Sequence, residues 1–127
     1  MNSINQRVLV VDDEAPIRRY LRAALGAQGF TVYESANGLE AVNAVLSHRP
    51  DIIILDLGLP DIDGIEVTRR LREWSQTPII ILSVREAEQD KIAALDAGAD
   101  DYLTKPFGTG ELLARMRVAL RKQSSAA

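Results

Sequence analysis

Asp12, Asp13, Asp56, Gly58, Ser83 and Lys105 are the residues of this chain whose types and placement could do chemistry together. Asp56 poses the question most sharply, because it ends the apolar run Ile52–Leu55 and opens the loop "DLGLPDIDG". Two carboxylates about 4 Å apart repel by about 4 kcal/mol at an effective dielectric constant of about 20. If Asp12, Asp13 and Asp56 meet, they must protonate, spread apart or hold a cation. A hard divalent ion suits them: Mg²⁺ takes oxygen ligands, keeps several waters and commonly sits beside phosphate. The Gly58 carbonyl is a further candidate oxygen. With the acids neutralised, the Asp56 carboxylate can attack phosphorus and form an acyl phosphate, with Lys105 and Ser83 holding two of the phosphoryl oxygens. Taken singly, each residue has an ordinary reading: Asp12 and Asp13 as helix caps, Asp56 as the cap of a turn, Ser83 as a strand end, Lys105 as a surface lysine. The conjunction is what points to phosphoryl chemistry.

The conjunction requires a scaffold that brings these positions to one rim. Short β-branched runs, "RVLVVD", "TVYES", "DIIILD", "PIIILS" and "DYLT", alternate with segments whose apolar residues recur at helical spacing. The predicted helix faces are Ile17, Leu21, Ala24 and Leu25; Leu39, Val42, Val45 and Leu46; Val67, Leu71 and Trp74; a weakly amphipathic Glu86–Ala97; and Leu112, Leu113, Met116, Ala119 and Leu120. Pro16 suits a first helical turn, Gly29 and Gly98 follow helices, and Pro50 and Pro78 precede strands. Five βα units predict an α/β, flavodoxin-like (βα)5 fold: a parallel sheet with helices on both faces, with the order 2-1-3-4-5 borrowed from the general rule for such sheets. That rule also places ligands outside the C-terminal strand ends, where all the singled-out residues fall. Lys105 precedes Pro106, a bond that can be cis. His48 lies in a predicted loop away from the rim and receives no catalytic role; Trp74 is expected in the core.

The chain has 127 residues, 46% of them hydrophobic, enough for one core. The expected organisation is a disordered leader over 1–6, one domain over 7–122, and the start of a linker over 123–127. A net charge of -3 and a pI near 5.1 give no basic field for nucleic acid or an anionic membrane. With no cysteine, thiolate catalysis and Cys-bound metals are excluded. The apolar runs are too short to span a bilayer and the start "MNSINQR" lacks a signal-peptide core, so a cytoplasmic location is expected.

"VLVVDDEAPIR", "DIIILDLGLPDIDGIEV", "PIIILSV" and "AGADDYLTKPFG", in this order, resemble the receiver domain of two-component response regulators, from about Arg7 to Lys122. Within it the text is similar to the OmpR/PhoB-type subgroup, and most like regulators of potassium-transport operons. The resemblance implies that Asp56 accepts a phosphoryl group from a phosphohistidine on a sensor histidine kinase, with Asp12, Asp13, Asp56 and the Gly58 carbonyl holding Mg²⁺. It implies that Ser83 and Tyr102 form a switch, and that the domain is no enzyme in the usual sense, although it assists its own phosphorylation and dephosphorylation. It implies a homodimer on phosphorylation, Lys91 facing Glu111 and Asp101 facing Arg115, and contact with DNA only through a C-terminal effector domain absent from this chain. The subgroup's third pair joins Asp100 to a basic residue at 118, where this chain has Val118. Gly108 takes the cap of the last helix, so no hydroxyl completes a capping box with Glu111 and a looser helix start is expected.

Other functions fit less well. A haloacid-dehalogenase-type phosphohydrolase needs an acid two residues after the nucleophile, where Gly58 stands, and a flavodoxin-like carrier needs a hydroxyl- and Gly-rich loop where this chain has "DDEAP". A stand-alone receiver acting through protein binding remains open.

Overall fold

The computed structural model describes residues 6–125. Its elements run β1 (Arg7–Val11), α1 (Ala15–Gly26), β2 (Thr31–Ser35), α2 (Gly38–His48), β3 (Ile52–Leu55), α3 (Gly64–Arg72), β4 (Ile79–Ser83), α4 (Glu88–Ala97), β5 (Asp101–Thr104) and α5 (Thr109–Ser125). The five strands form one parallel sheet in the order β2-β1-β3-β4-β5, as the alternation of the sequence predicts. The continuous apolar runs occupy the three inner strands because both sheet faces are covered by helices.

Side chains alternate across that sheet. Leu9, Val11, Ile53, Leu55, Ile79 and Ile81 join the core beneath α2, α3 and α4, while Val8, Val10, Ile52, Ile54, Ile80 and Leu82 join the core beneath α1 and α5. Burying a branched aliphatic side chain is worth about 1.5–3 kcal/mol, so the two layers together hold the strands in register. In that register Val11 lies level with Leu55, which sets the ends of β1 and β3 side by side.

Five expectations need correction. Leu39 and Leu46 are exposed, because α2 turns Gly38, Ala41 and Val45 inward; a Cβ at Gly38 would stand 2.6 Å from Ile62 and 2.8 Å from Val67. Trp74 lies beyond α3 and is about half exposed. The cause is Arg72, whose guanidinium donates to the carbonyls of Ser75, Thr77 and Gly98 and turns the chain away from the helix axis. His48 is the last residue of α2, not a loop residue, and its ring stacks on Tyr33 at 3.9 Å. At the C-terminus, α5 continues through Ser125, so 123–125 are helical where a linker was expected; 126–127, like 1–5 of the expected leader, lie outside the described residues. The predicted start of α4 also moves, from Glu86 to Glu88, for reasons given below.

Candidate phosphoacceptor site

Asp12 follows the last residue of β1 and Asp56 the last residue of β3, and both are buried. The Asp12 N–H donates to the Ser35 carbonyl (3.1 Å) and the Asp56 N–H to that of Val11 (2.9 Å), so the ladder extends one step past the strands and fixes both backbones. Asp13 is exposed, yet one carboxylate oxygen from each of Asp12, Asp13 and Asp56 falls within 4.8 Å of the others. The sequence expectation of an acidic trio therefore holds in space.

Lys105 closes the site from β5. Its N–H donates to the Ser83 carbonyl (2.8 Å), the Lys105–Pro106 bond is cis, and Nζ donates to Asp12 Oδ2 at 2.8 Å and lies 3.7 Å from Asp56 Oδ2. Burial alone would lower the lysine pKa, but the hydrogen bond and charge of Asp12, followed by the charges of Asp56 and Glu14, hold it above its ordinary value. Asp56 is pushed up, chiefly by burial; Lys105 and the Gly58 N–H pull it down, and Asp12 and Asp13 push it further up. Ser83 ends β4, buried on the same rim.

This donor set fits Mg²⁺. It offers three carboxylates at the spacing of a shared ion, and its central acid is buried, desolvated and repelled by two others. Gly58 contributes to the site through its backbone. A Cβ there would meet open space, so neither packing nor backbone demands glycine, and the visible contribution is its N–H toward Asp56.

Sequence reasoning gave no role to Gly64, where a Cβ would stand 2.6 Å from the Asp56 carbonyl oxygen and 2.7 Å from Leu57 Cα. The Gly64 N–H donates to the Leu57 carbonyl at 2.8 Å, which brings the start of α3 against the phosphoacceptor loop. Two acids of that loop also act as caps. Asp61 accepts the N–H groups of Gly38 and Leu39, both at 2.8 Å, and so bonds the loop to the start of α2, while Asp63 accepts that of Ile65 at 2.9 Å and caps α3. The signal for all three was present in "PDIDG" ahead of an apolar-periodic segment.

Asp63 also pairs with Arg85 at 2.5 Å. The Arg85 N–H donates to Ser83 Oγ (3.1 Å), and its carbonyl accepts the Tyr102 hydroxyl (2.8 Å). These bonds hold residues 84–87 outside the helix, which explains the late start of α4. They also link Ser83 to Tyr102 through one residue. Burial pushes the Tyr102 phenol up, against a hydrogen bond from Ser83.

The sequence profile of the response regulator receiver domain matches residues 8–117. The chain belongs to that family. It is 59% identical over 118 residues to the KDP operon transcriptional regulatory protein KdpE of Escherichia coli, covering 93% of this chain and 52% of that protein. It is 52% identical over 120 residues to the transcriptional regulatory protein KdpE of Mycobacterium tuberculosis, covering 94% and 53%. The chain thus spans about half the length of these curated relatives. Among solved structures it resembles the receiver domain of the Francisella response regulator 1452 (TM-score 0.88, 34% identity, 94% of this chain and 99% of that one). It also resembles the BeF3-activated N-terminal receiver domain of Klebsiella pneumoniae RstA (TM-score 0.88, 32% identity, 91% and 99%).

In this receiver domain the expected dimer residues pair within the chain. Arg115 lies 3.3 Å from Asp101 and 3.0 Å from Glu111, and Lys91 Nζ stands 5.9 Å from the centre of the Tyr102 ring. Asp100 is held by Arg72 Nη2 (3.0 Å) and by the Ile79 N–H (2.8 Å), so its charge is met without a cation at Val118. At the start of α5 the Leu112 N–H donates to the Gly108 carbonyl, and Thr109 Oγ1 bonds the Tyr20 hydroxyl of α1. His48 is at the opposite end of its strand layer from the acidic rim, beside the Arg7 side chain that donates to its carbonyl. Among the described residues no helix is long and apolar enough to cross a membrane.

Proposed function

We propose that Asp56 accepts a phosphoryl group from a phosphohistidine of a sensor histidine kinase, and that this switches a dimer interface on α4, β5 and α5. The observation supporting this most is the grouping of Asp12, Asp13 and Asp56 with Lys105 across the end of the sheet. Asp12, Asp13, Asp56 and the Gly58 carbonyl would hold Mg²⁺, which neutralises the acids and draws charge from the phosphoryl oxygens. An Asp56 carboxylate oxygen forms the new bond to phosphorus as the P–N bond to the histidine breaks; the imidazole leaves with that electron pair and takes a proton. Lys105, already on Asp12 and near Asp56, turns to one phosphoryl oxygen and Ser83 donates to another. Attack of water on the same phosphorus breaks the P–O bond to Asp56 and releases inorganic phosphate, a proton and the free carboxylate; the same residues thus assist both phosphorylation and dephosphorylation.

Ser83 can reach the phosphoryl group only by giving up its place against the Arg85 N–H, which loosens the carbonyl that holds Tyr102. The phosphorylated form favours the arrangement in which Tyr102 turns inward, a population shift set by these differential contacts. Lys91 then faces Glu111 of the partner subunit, and Arg115 leaves its own Glu111 for Asp101 of the partner subunit. The half-length match to KdpE supports a domain organisation of a receiver ending with α5 followed by an effector domain that contacts DNA, in a cytoplasmic regulator of a potassium-transport operon.

The test is incubation of the chain with acetyl phosphate, with and without Mg²⁺, read by intact mass and gel filtration. A phosphoryl increment that needs both Mg²⁺ and Asp56, accompanied by a dimer that Lys91→Glu abolishes, is the expected result. An increment retained in Asp56→Asn overturns the assignment of the acceptor.

A further inference from the structure

Asp13 is the one member of the acidic trio whose carboxylate makes no hydrogen bond or ion pair among the described residues. Its position must come from the backbone, and the peptide that joins it to Asp12 is held at its oxygen: Arg18 Nη1 donates to the Asp12 carbonyl at 2.6 Å. Arg18 lies one turn into α1, its own N–H bonded to the Glu14 carbonyl. Its Nε meets Glu34 Oε1 at 3.3 Å, and Glu34 stands on β2 level with Val10 of β1. Both side chains are about four-fifths buried, whereas Arg22, the other cation on Glu34 (2.7 Å), is mostly exposed. A fixed guanidinium fork thus runs from a sheet edge to one peptide at the lip of the site, without itself touching the acids.

We propose that Arg18 is the positioning residue that sets Asp13 for the divalent cation, with Glu34 aiming the guanidinium. This rests on the proposed Mg²⁺ site. The Asp12 carboxylate is anchored by the Glu14 N–H and by Lys105, and Asp56 by its strand, so only Asp13 depends on the plane of the 12–13 peptide. Losing the Arg18 bond lets that plane rotate and swings Asp13 away from the other two. Outer residues that orient metal ligands typically change affinity by roughly 10- to 100-fold when removed.

The experiment is calorimetric titration of the whole chain with MgCl₂, on wild type, Arg18→Ala, Arg18→Lys and Arg22→Ala, each first shown folded by circular dichroism at the titration temperature. Arg18→Ala is expected to weaken Mg²⁺ binding roughly 10- to 100-fold. Arg18→Lys, which keeps one donor for the Asp12 carbonyl, recovers part of the loss. Arg22→Ala breaks a Glu34 ion pair without touching that carbonyl, and leaves affinity within about twofold of wild type, the scatter expected of an exposed pair. If Arg18→Ala fails to fold, Arg18→Lys decides: affinity equal to wild type with a Glu34→Gln variant also unchanged overturns the inference. Folded Arg18→Ala binding like wild type, or Arg22→Ala weakening binding as much, overturns it too. If wild type takes up no Mg²⁺, the metal site falls and this inference with it.

Discussion

Replacing Asp56 by asparagine should stabilise the fold while abolishing its chemistry. Asp56 and Asp12 have carboxylate oxygens within 4.8 Å, a repulsion of about 3.5 kcal/mol at an effective dielectric constant of about 20. Lys105 at 3.7 Å returns about 4.5 kcal/mol on the same scale. Those terms nearly cancel. What remains is the cost of burying the charge, several kcal/mol in real proteins, and a repulsion from Asp13 that solvent discounts. Against it stands the Gly58 N–H bond, which an amide oxygen also accepts. Burying the amide costs part of the difference, so a net gain of about 1–2 kcal/mol is expected for Asp56→Asn at neutral pH without Mg²⁺. For a chain of this size that is about 4 °C in Tm per kcal/mol.

The pH dependence follows from the raised pKa. The folded state holds the Asp56 proton more tightly than the unfolded chain does, so wild type loses stability as pH rises from the ordinary value of 3.8 through the raised one. The asparagine advantage is then complete above the raised value and disappears below the ordinary one. Urea unfolding followed by circular dichroism over this range measures both quantities. A destabilised Asp56→Asn at neutral pH, or an advantage that persists at pH values below 3.8, refutes the reasoning.

Three further outcomes are expected. Lys105→Ala removes the cation that shares Asp12 and Asp56; without Mg²⁺ it costs about 3–5 kcal/mol in denaturant unfolding, and calorimetry shows tighter Mg²⁺ binding than wild type although phosphoryl transfer is slowed. Gly64→Ala forces a methyl group against the Asp56 carbonyl and Leu57, costing about 1–3 kcal/mol, whereas Gly58→Ala, opening onto free space, stays within about 0.5 kcal/mol of wild type, both read by urea midpoint. Desolvation pushes Asp61 up but the N–H groups of Gly38, Leu39 and Ile62 more than reverse it, so its folded pKa is depressed; the stability it contributes is present above 3.8 and is lost as pH falls through the lower folded value, and Asp61→Asn removes that acid-side dependence of Tm.

The sheet and the acidic rim were legible because each depends on a local pattern: uninterrupted apolar residues at Ile52–Leu55 and Ile79–Leu82, each ending in a polar residue. Strand order places those ends together, and only the general rule for such sheets supplied it. What the sequence hid were bonds between distant positions. Arg72 and Arg85 read as ordinary surface cations, yet one binds three carbonyls and Asp100, and the other links Asp63, Ser83 and Tyr102. The errors at Leu39 and Leu46 have one source: apolar spacing marks a stripe wider than the face that is buried, and a small residue such as Gly38 can carry the contact instead; Trp74 was misplaced because the helix ends before it.

α4 buries only Ala94 of its ten residues, while Ile92 and Leu95 remain in water. Little of its own apolar surface is at stake when it moves, whereas shifting any inner strand would open two packed layers at once. The molecule is therefore stiff where bond-making demands fixed distances and soft on the flank next to it, and a small push at the rim spends itself in one thinly rooted helix instead of spreading through the interior.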